Sequence, residues 1–136
     1  MYNCWYLTTN TILYCKEWEK TVNFYRDGLS LPINFTTDWF VEFCLTESSR
    51  LSIANEIKSS IKSSKKKGIT IALQVEDIDV VWINIMSKNL KPTKIESHPW
   101  NARVFYLFDT EGHRIEIWQS HEQTEKKALL NFFKKA

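Results

Sequence analysis

The residue best suited to do chemistry is a carboxylate, Glu116, in a strand that directly follows a tight turn at residues 109–112. The turn is indicated by its Asp and Gly, since Asp hydrogen-bonds its own backbone and Gly tolerates positive φ. Alternation along the strand places Ile115 and Ile117 on one face, and Glu116 and Trp118 on the other. The sequence therefore predicts a carboxylate and a ring on the face away from the aliphatic core.

Glu116 has two interpretations. In the functional one, it accepts a proton as a general base or pairs with a cationic ligand. In the structural one, it is hydrogen-bonded to a hydroxyl such as that of Thr70 or Tyr14. A buried carboxylate without either partner would cost several kcal/mol or take up a proton, so we expect one of the two arrangements.

Aromatic residues make up 14% of the chain and include six tryptophans, which predicts ring-lined surfaces as well as ring-filled cores. The rings with the most informative positions are Tyr14, Trp39, Trp100, Tyr106 and Trp118. They could stack on a flat organic molecule in a pocket where a few polar groups fix its orientation. They could equally fill that space as core.

Other chemically capable residues give weaker signals. Arg103 could reach an anionic ligand or pair only with a surface carboxylate. The histidines His98, His113 and His121 are not at metal-ligand spacing, and the turn position of His113 favours solvent exposure. Glu42 cannot be assigned to a face, because the pattern does not fix the register of its strand.

Composition bounds the function classes. With 136 residues, 43% apolar and 25% charged, the chain is typical of one globular domain. A net charge of +2 is too small to indicate nucleic-acid binding, and the three cysteines form no CxxC pair. No apolar run reaches membrane-spanning length and no leader pattern begins the chain, so we expect a cytoplasmic protein that binds neither nucleic acid nor membrane.

Helical and strand periodicities divide the chain into two halves separated by a polar, basic connector at residues 55–67, interpreted as mobile. The predicted elements of the first half are strand 10–15, helix 16–26, two short strands within 33–45 and strand 50–54. Those of the second half are strand 70–75, helix 77–88, strand 103–108 and the strand after the turn.

The two halves are copies of one pattern. Residues 10–32 match residues 70–92 at a constant offset of 60, which superimposes Pro32 on Pro92. The last strands match at an offset of 64, which superimposes Ser52 on Glu116. Such an internal repeat predicts two strand–helix–strand–strand–strand units, each with one sheet face covered by its helix.

The first helix ends in residues 23–29, Asn-Phe-Tyr-Arg-Asp-Gly-Leu, and residues 108–117 read Phe-Asp-Thr-Glu-Gly-His-Arg-Ile-Glu-Ile. With the repeat, these motifs resemble the vicinal oxygen chelate superfamily of glyoxalase, bleomycin-resistance and extradiol-dioxygenase proteins over roughly residues 8–119. The resemblance implies an α+β fold in which two βαβββ repeats form a curved, cup-shaped, eight-stranded mixed sheet. The helices would lie on its outer face, and a C-terminal helix would follow.

The resemblance also implies a single domain over residues 1–136. Its parts would be repeat one at about 8–55, a basic linker at 56–68, repeat two at about 69–119 and a helical tail at 121–136. The tail carries the apolar residues Leu129, Leu130, Phe132 and Phe133. Single chains of this resemblance commonly pair, so we expect a homodimer to which this strip contributes.

Metal-binding members of the superfamily hold a divalent ion with residues from the first and last strands of each repeat. Those positions correspond here to Asn10, Ser52, Thr70 and Glu116, of which only Glu116 is a strong ligand. Transition-metal sites want at least three imidazole, carboxylate or thiolate groups. We therefore expect no metal and no other cofactor.

The function that this resemblance favours is metal-free binding of an aromatic or cationic small molecule, as in antibiotic-resistance members of the superfamily. The alternative is a glyoxalase-like or dioxygenase-like lyase or isomerase with Glu116 as the catalytic base or a metal ligand. Whether the chain is an enzyme stays open, with binding alone favoured. The ligand-binding residues expected are Asn10, Tyr14, Trp39, Ser52, Thr70, Trp100, Arg103, Tyr106, Glu116 and Trp118.

Overall fold

The computed structural model describes residues 5–65, 67–99, 102–120, 129, 130 and 132. Trp100 and Phe133 therefore lie outside the described residues. Leu129, Leu130 and Phe132 are helical and exposed, and the homodimer to which they were assigned stays a prediction. Within the described residues, no helix combines the length and apolarity needed to cross a membrane.

Strands and helices follow the predicted order of strand, helix and three strands in each repeat. The elements of the first repeat are β1 (Thr9–Cys15), α1 (Trp18–Asn23), a π-helical turn (Phe24–Gly28), β2 (Ile33–Thr36), β3 (Phe40–Thr46), β4 (Ser49–Asn55) and a 3-10 turn (Glu56–Lys58). Those of the second repeat are β5 (Thr70–Gln74), α2 (Ile78–Met86), β6 (Glu96–His98), β7 (Ala102–Phe108) and β8 (Arg114–Ser120).

Backbone hydrogen bonds organise the strands into two four-stranded sheets, in the orders β1-β4-β3-β2 and β5-β8-β7-β6. In each sheet the first and last strands of the repeat pair in parallel, and the other pairs are antiparallel. The α+β class and the two βαβββ repeats are confirmed. The hydrogen-bonded unit is a four-stranded sheet in each repeat, where the sequence suggested one sheet of eight strands.

The chain forms two compact units. The first contains the chain up to Lys67 together with Asp109–Gly112, and the second contains Gly68–Phe108 and the chain from His113 onwards. The turn between β7 and β8 thus belongs to the first unit although both of its flanking strands belong to the second.

Three consecutive side chains attach this turn to the first unit. Tyr25 donates its hydroxyl hydrogen to Asp109 Oδ2 at 2.7 Å, and the hydroxyls of Thr21 and Thr110 lie 2.7 Å apart. The Glu111 carboxylate accepts the backbone N–H groups of Lys16 and Glu17, at 2.7 and 3.0 Å, where α1 begins. It therefore satisfies two N–H groups near a helix start that have no intrahelical acceptor.

The helix of the first unit packs by the predicted stripe. Val22 and Tyr25 are buried, and Trp18 donates its ring N–H to the Ile53 carbonyl of β4 at 2.8 Å. The regular α-helix is shorter than predicted, because its last turn widens into the π-helical turn that ends at Gly28. The Tyr25 ring packs on the sheet residue Phe43, which is fully buried, and the two ring centroids lie 6.3 Å apart.

The helix of the second unit begins at a double cap. Asp77 accepts the N–H of Val80 through its side chain at 3.3 Å, and the buried Gln119 of β8 accepts the N–H of Ile78 at 2.7 Å. Ile78 and Ile85 are buried as predicted. Trp82, also placed on the buried stripe, is half-buried and donates its ring N–H to the Thr93 carbonyl at 2.9 Å.

The basic connector contains ordered contacts, although the sequence favoured a mobile segment. Asn55 caps the 3-10 turn by accepting the N–H of Ile57, and Lys62 donates to the Glu56 and Ser59 carbonyls. Ser63 donates its hydroxyl hydrogen to Glu111 at 3.0 Å. Serine and lysine thus supply local hydrogen bonds here, which composition alone does not reveal.

Cys15, the last residue of β1, is fully buried. Burial raises the pKa of its thiol from 9.0 to about 12, and the charges of Glu111 and Asp109 act in the same direction. Burial and the neighbouring Asp109 also raise the pKa of Tyr25 well above its ordinary value of 10.0. Both groups are therefore held in their neutral forms in the folded state.

We expect the free energy of unfolding to fall as the pH rises above about 9. The unfolded Cys15 thiol ionises near pH 9.0 and the folded thiol near 12, so its stabilising contribution is complete below pH 9 and is lost between these values. Tyr25 adds a loss of the same sign above pH 10.

Urea unfolding between pH 8 and 10.5 should show a shallower fall in the free energy of unfolding for Cys15→Ala than for the wild type. Parallel curves for Cys15→Ala and the wild type would contradict the prediction.

Candidate functional site

Each sheet has one face covered by its own helix and a second face, here called the open face. In β1 the buried Leu13 and Cys15 alternate with the more exposed Asn10 and Tyr14. In β8 the buried Ile115 and Ile117 alternate with the half-buried Glu116 and Trp118. The predicted alternation holds along β8 and over residues 13–15 of β1, whereas residues 9–12 of β1 are all exposed. The four more exposed residues therefore lie on the open faces of their respective units.

A hydrogen-bonded polar row crosses the open face of the first unit. Ser52 of β4 donates to Asn10 Oδ1 at 2.8 Å, and Asn10 donates its amide hydrogen to Glu42 Oε1 at 3.3 Å. Asn34 of β2 donates to the other oxygen of Glu42 at 2.5 Å. The row therefore links all four strands, and both carboxylate oxygens of Glu42 accept an amide hydrogen.

The sequence left Glu42 unassigned, and the structure makes it the charged centre of this row. Its register decides the matter: Glu42 pairs with Ser52 across β3 and β4. Of the predicted site residues in this unit, Asn10 is exposed but Ser52 is fully buried. Ser52 therefore acts through Asn10 and has no surface of its own to offer a ligand.

Aromatic residues lie in the same strands as the polar row of the first unit, or directly before them. Tyr14 and Trp39 are half-buried, and the Trp39 ring centroid lies 5.6 Å from that of Phe40 in an edge-on arrangement. Phe35, which the sequence did not single out, is 54% exposed and lies 6.5 Å from Phe40. Exposed rings beside polar groups are suited to stacking on a flat organic molecule.

The open face of the second unit has a different chemistry. Arg114 donates Nε–H to the Thr70 hydroxyl at 3.0 Å, and its guanidinium carbon lies 4.8 Å from the Tyr106 ring centroid. Tyr106 pairs directly with Glu116 across β7 and β8. Trp118 is the next residue of β8 on that face. A fixed cation, a carboxylate and two rings thus share this face.

Glu116 accepts no hydrogen bond and forms no ion pair within the described residues of the second unit. Thr70, one hydroxyl expected to hold it, pairs with Arg114 across β5 and β8 and accepts the Arg114 Nε–H. The carboxylate is half-buried, and no buried side-chain oxygen of the described residues lacks a partner, so its oxygens face accessible space. It is therefore available to a ligand that supplies a hydrogen-bond donor or a positive charge.

Two other expected residues lie elsewhere. Arg103 forms a two-point ion pair with Asp79 of α2, with both N–O distances at 2.9 Å, so it occupies the helix-covered side of its sheet. This is the carboxylate pairing that the sequence allowed as its alternative. His113 was expected to be solvated in the turn, but it is 1% exposed.

The two repeats carry their carboxylate on different members of the same cross-strand pair. In the first unit the cross-strand pair is Glu42 with Ser52, and in the second it is Tyr106 with Glu116. The carboxylate thus lies on the third strand of one repeat and on the last strand of the other. In the first repeat two amide groups donate to the carboxylate of Glu42, whereas Glu116 accepts no hydrogen bond from a described residue of its unit and pairs across the strands with Tyr106.

The residues at the superfamily's metal positions do not fit a divalent transition metal. In the first unit, Asn10 and Ser52 hydrogen-bond each other. In the second, the Arg114 guanidinium binds the Thr70 oxygen, which places a positive charge where a cation would have to coordinate. The described residues contain no group of three or more His, Cys, Asp or Glu side chains that could hold a metal ion. We therefore derive no chemistry through a metal.

Comparison with known proteins supports the same fold. YraH, an uncharacterised protein of Bacillus subtilis strain 168, is 26% identical over 123 residues, which cover 79% of this chain and 93% of that protein. The crystal structure of lactoylglutathione lyase from Agrobacterium tumefaciens has a TM-score of 0.68 at 16% identity, covering 82% of this chain and 91% of that chain. TnmS3, an antibiotic binding protein from Streptomyces sp. CB03234, has a TM-score of 0.68 at 13% identity, covering 83% of this chain and 94% of that chain.

At such identities, the two solved structures show a shared fold and do not transfer an activity. The sequence model of the glyoxalase-like domain matches residues 8–122, which include every strand of both repeats. The chain therefore belongs to the glyoxalase-like domain family.

Proposed function

We propose that this protein binds a small aromatic or cationic molecule without a metal, using the open face of its second unit. The observation that carries the proposal is the state of Glu116, a half-buried carboxylate without a hydrogen-bonding partner in its unit, beside Tyr106 and Trp118. A carboxylate next to rings attracts a cation through charge, while the rings supply apolar contact and a negative π-face.

The first unit supports the proposal in a different way. Its polar row satisfies Glu42 through Asn10 and Asn34, so this carboxylate has less capacity for a further cation. Its exposed rings, Phe35 foremost, offer stacking area. Among structures of similar fold, TnmS3 is described as an antibiotic binding protein, and antibiotics that carry both an aromatic ring and a basic aliphatic amine are suitable ligands to test.

We expect Trp118→Ala to weaken binding of an aromatic ligand by about 1–3 kcal/mol, because it removes ring contact area. Glu116→Gln should weaken binding of protonated amines and leave neutral aromatic compounds unaffected, because it removes charge and keeps shape. Tryptophan fluorescence titration with paired amines and neutral isosteres, including antibiotics, would measure both effects.

The matched control is Trp5→Ala, since Trp5 is 88% exposed in the arm before β1. It should keep wild-type affinity while changing the number of fluorophores. If no compound in the panel perturbs the wild-type signal, or if Trp118→Ala binds as tightly as wild type, the proposed binding face is wrong.

A further inference from the structure

Arg114 is held in place by the second unit's own side chains. Its Nε–H is donated to Thr70 at 3.0 Å, and its guanidinium stacks over the Tyr106 ring at 4.8 Å. These contacts use one of its five N–H donors and one planar face. Its terminal amino groups form no hydrogen bond or ion pair with a described residue, and the side chain lies in an exposed position.

A guanidinium fixed in this way is prepared to bind a carboxylate. The terminal amino groups of arginine present parallel N–H donors that match the two oxygens of a planar anion. Part of the ordering cost of the side chain is already met in the free protein, because Thr70 and Tyr106 restrict its rotation.

Glu116 limits which anions this arginine accepts. The two residues are second neighbours on the same side of β8, so their Cα atoms lie about 6–7 Å apart. A ligand with only a negative charge would gain from Arg114 and be repelled by Glu116. A ligand with only a positive charge would be attracted by Glu116 and repelled by Arg114.

We infer that the open face of the second unit selects zwitterionic aromatic ligands. Their carboxylate binds Arg114, their protonated amine binds Glu116, and the ring between them lies against Tyr106 and Trp118. The inference rests on the proposed binding function and narrows its ligand class from aromatic or cationic molecules to those that carry both charges.

The test uses three substituted benzenes that differ in charge. These are 4-(aminomethyl)benzoate, which carries both charges, benzylamine, which carries the positive one, and 4-methylbenzoate, which carries the negative one. NMR titration of the isotope-labelled full chain measures the Kd of each probe and shows whether every variant is folded. We expect the zwitterion to bind at least about tenfold more tightly than either singly charged probe.

Variants assign each charge to its residue. Arg114→Gln should remove the zwitterion's advantage over benzylamine, while Glu116→Gln should remove its advantage over 4-methylbenzoate. Arg114→Lys, which keeps the charge and loses the paired donors, should retain part of the advantage. The control is Arg26→Gln, because Arg26 pairs with the adjacent Asp27 on an exposed surface of the first unit.

The outcomes separate the two claims. Equal affinities for the zwitterion and benzylamine, both dependent on Glu116, overturn the zwitterion inference and leave the proposed function standing. A zwitterion advantage that survives Arg114→Gln also overturns the inference. Failure of all three probes, and of the wider aromatic panel, to bind the wild type overturns the proposed function and the inference with it.

Discussion

Replacing Asp109 by alanine is expected to lower the free energy of unfolding by about 2–4 kcal/mol. Asp109 is 5% exposed, and its carboxylate accepts hydrogen bonds from the Tyr25 hydroxyl at 2.7 Å and from the Glu111 N–H at 2.9 Å. Removing it leaves the buried Tyr25 hydroxyl without its acceptor. Urea unfolding monitored by circular dichroism would measure the loss.

A double-mutant cycle separates the loss of the hydrogen bond from Tyr25 from the loss of the hydrogen bond from the Glu111 N–H. Tyr25→Phe removes the hydroxyl, so Asp109→Ala should cost less in a Tyr25→Phe background than in the wild type. The matched control is Asp38→Ala, which removes an exposed acidic side chain and should change stability by less than about 0.5 kcal/mol. Equal costs for Asp109→Ala in both backgrounds would show that the hydrogen bond to Tyr25 contributes nothing.

Phe43→Ala should mainly lower stability, whereas Phe35→Ala should mainly weaken ligand binding. Phe43 is fully buried on the helix side of the first sheet and contacts Tyr25, so its truncation should cost about 3–5 kcal/mol of folding free energy. Phe35 is 54% exposed on the open face, so its truncation should cost little stability. If the open face of this unit also stacks on ligands, Phe35→Ala should weaken aromatic ligand binding in the same fluorescence titration.

Thermal and urea unfolding of the two variants measure the first effect. A loss above about 2 kcal/mol for Phe35→Ala would mean that this ring serves as core. A loss below about 1 kcal/mol for Phe43→Ala would contradict the assignment of the two sheet faces.

The repeat carried the fold prediction because it constrains many positions at once. Matching the two halves set the strand order, the helix positions and the outward parity of Asn10 and Glu116, and the burial of Leu13 and Ile115 agrees with that parity. Short-range periodicity gave the parity of these residues because β8, and residues 13–15 of β1, each have one buried, apolar face.

Features that depend on register or on distant partners could not be predicted. The face of Glu42 depends on the register between β3 and β4. The pairing of Arg103 with Asp79 depends on how α2 packs on its sheet. The state of Glu116 also depended on register, because β5 places Thr70 opposite Arg114 and Ala72 opposite Glu116. Hydrogen-bond partners compete, and a pattern of residue types does not say which partner wins.

The attachment of the β7–β8 turn to the first unit sets an order of events during synthesis. Tyr25 and Asp109 are 84 residues apart, and Lys16 and Glu111 are 95 apart. On the ribosome, the N-terminal repeat therefore emerges without the acceptors for the Tyr25 hydroxyl and for the first N–H groups of α1. It can complete its native hydrogen bonds only after most of the second repeat has been made. Contacts between residues so far apart in sequence form late, because the intervening loop must be closed first.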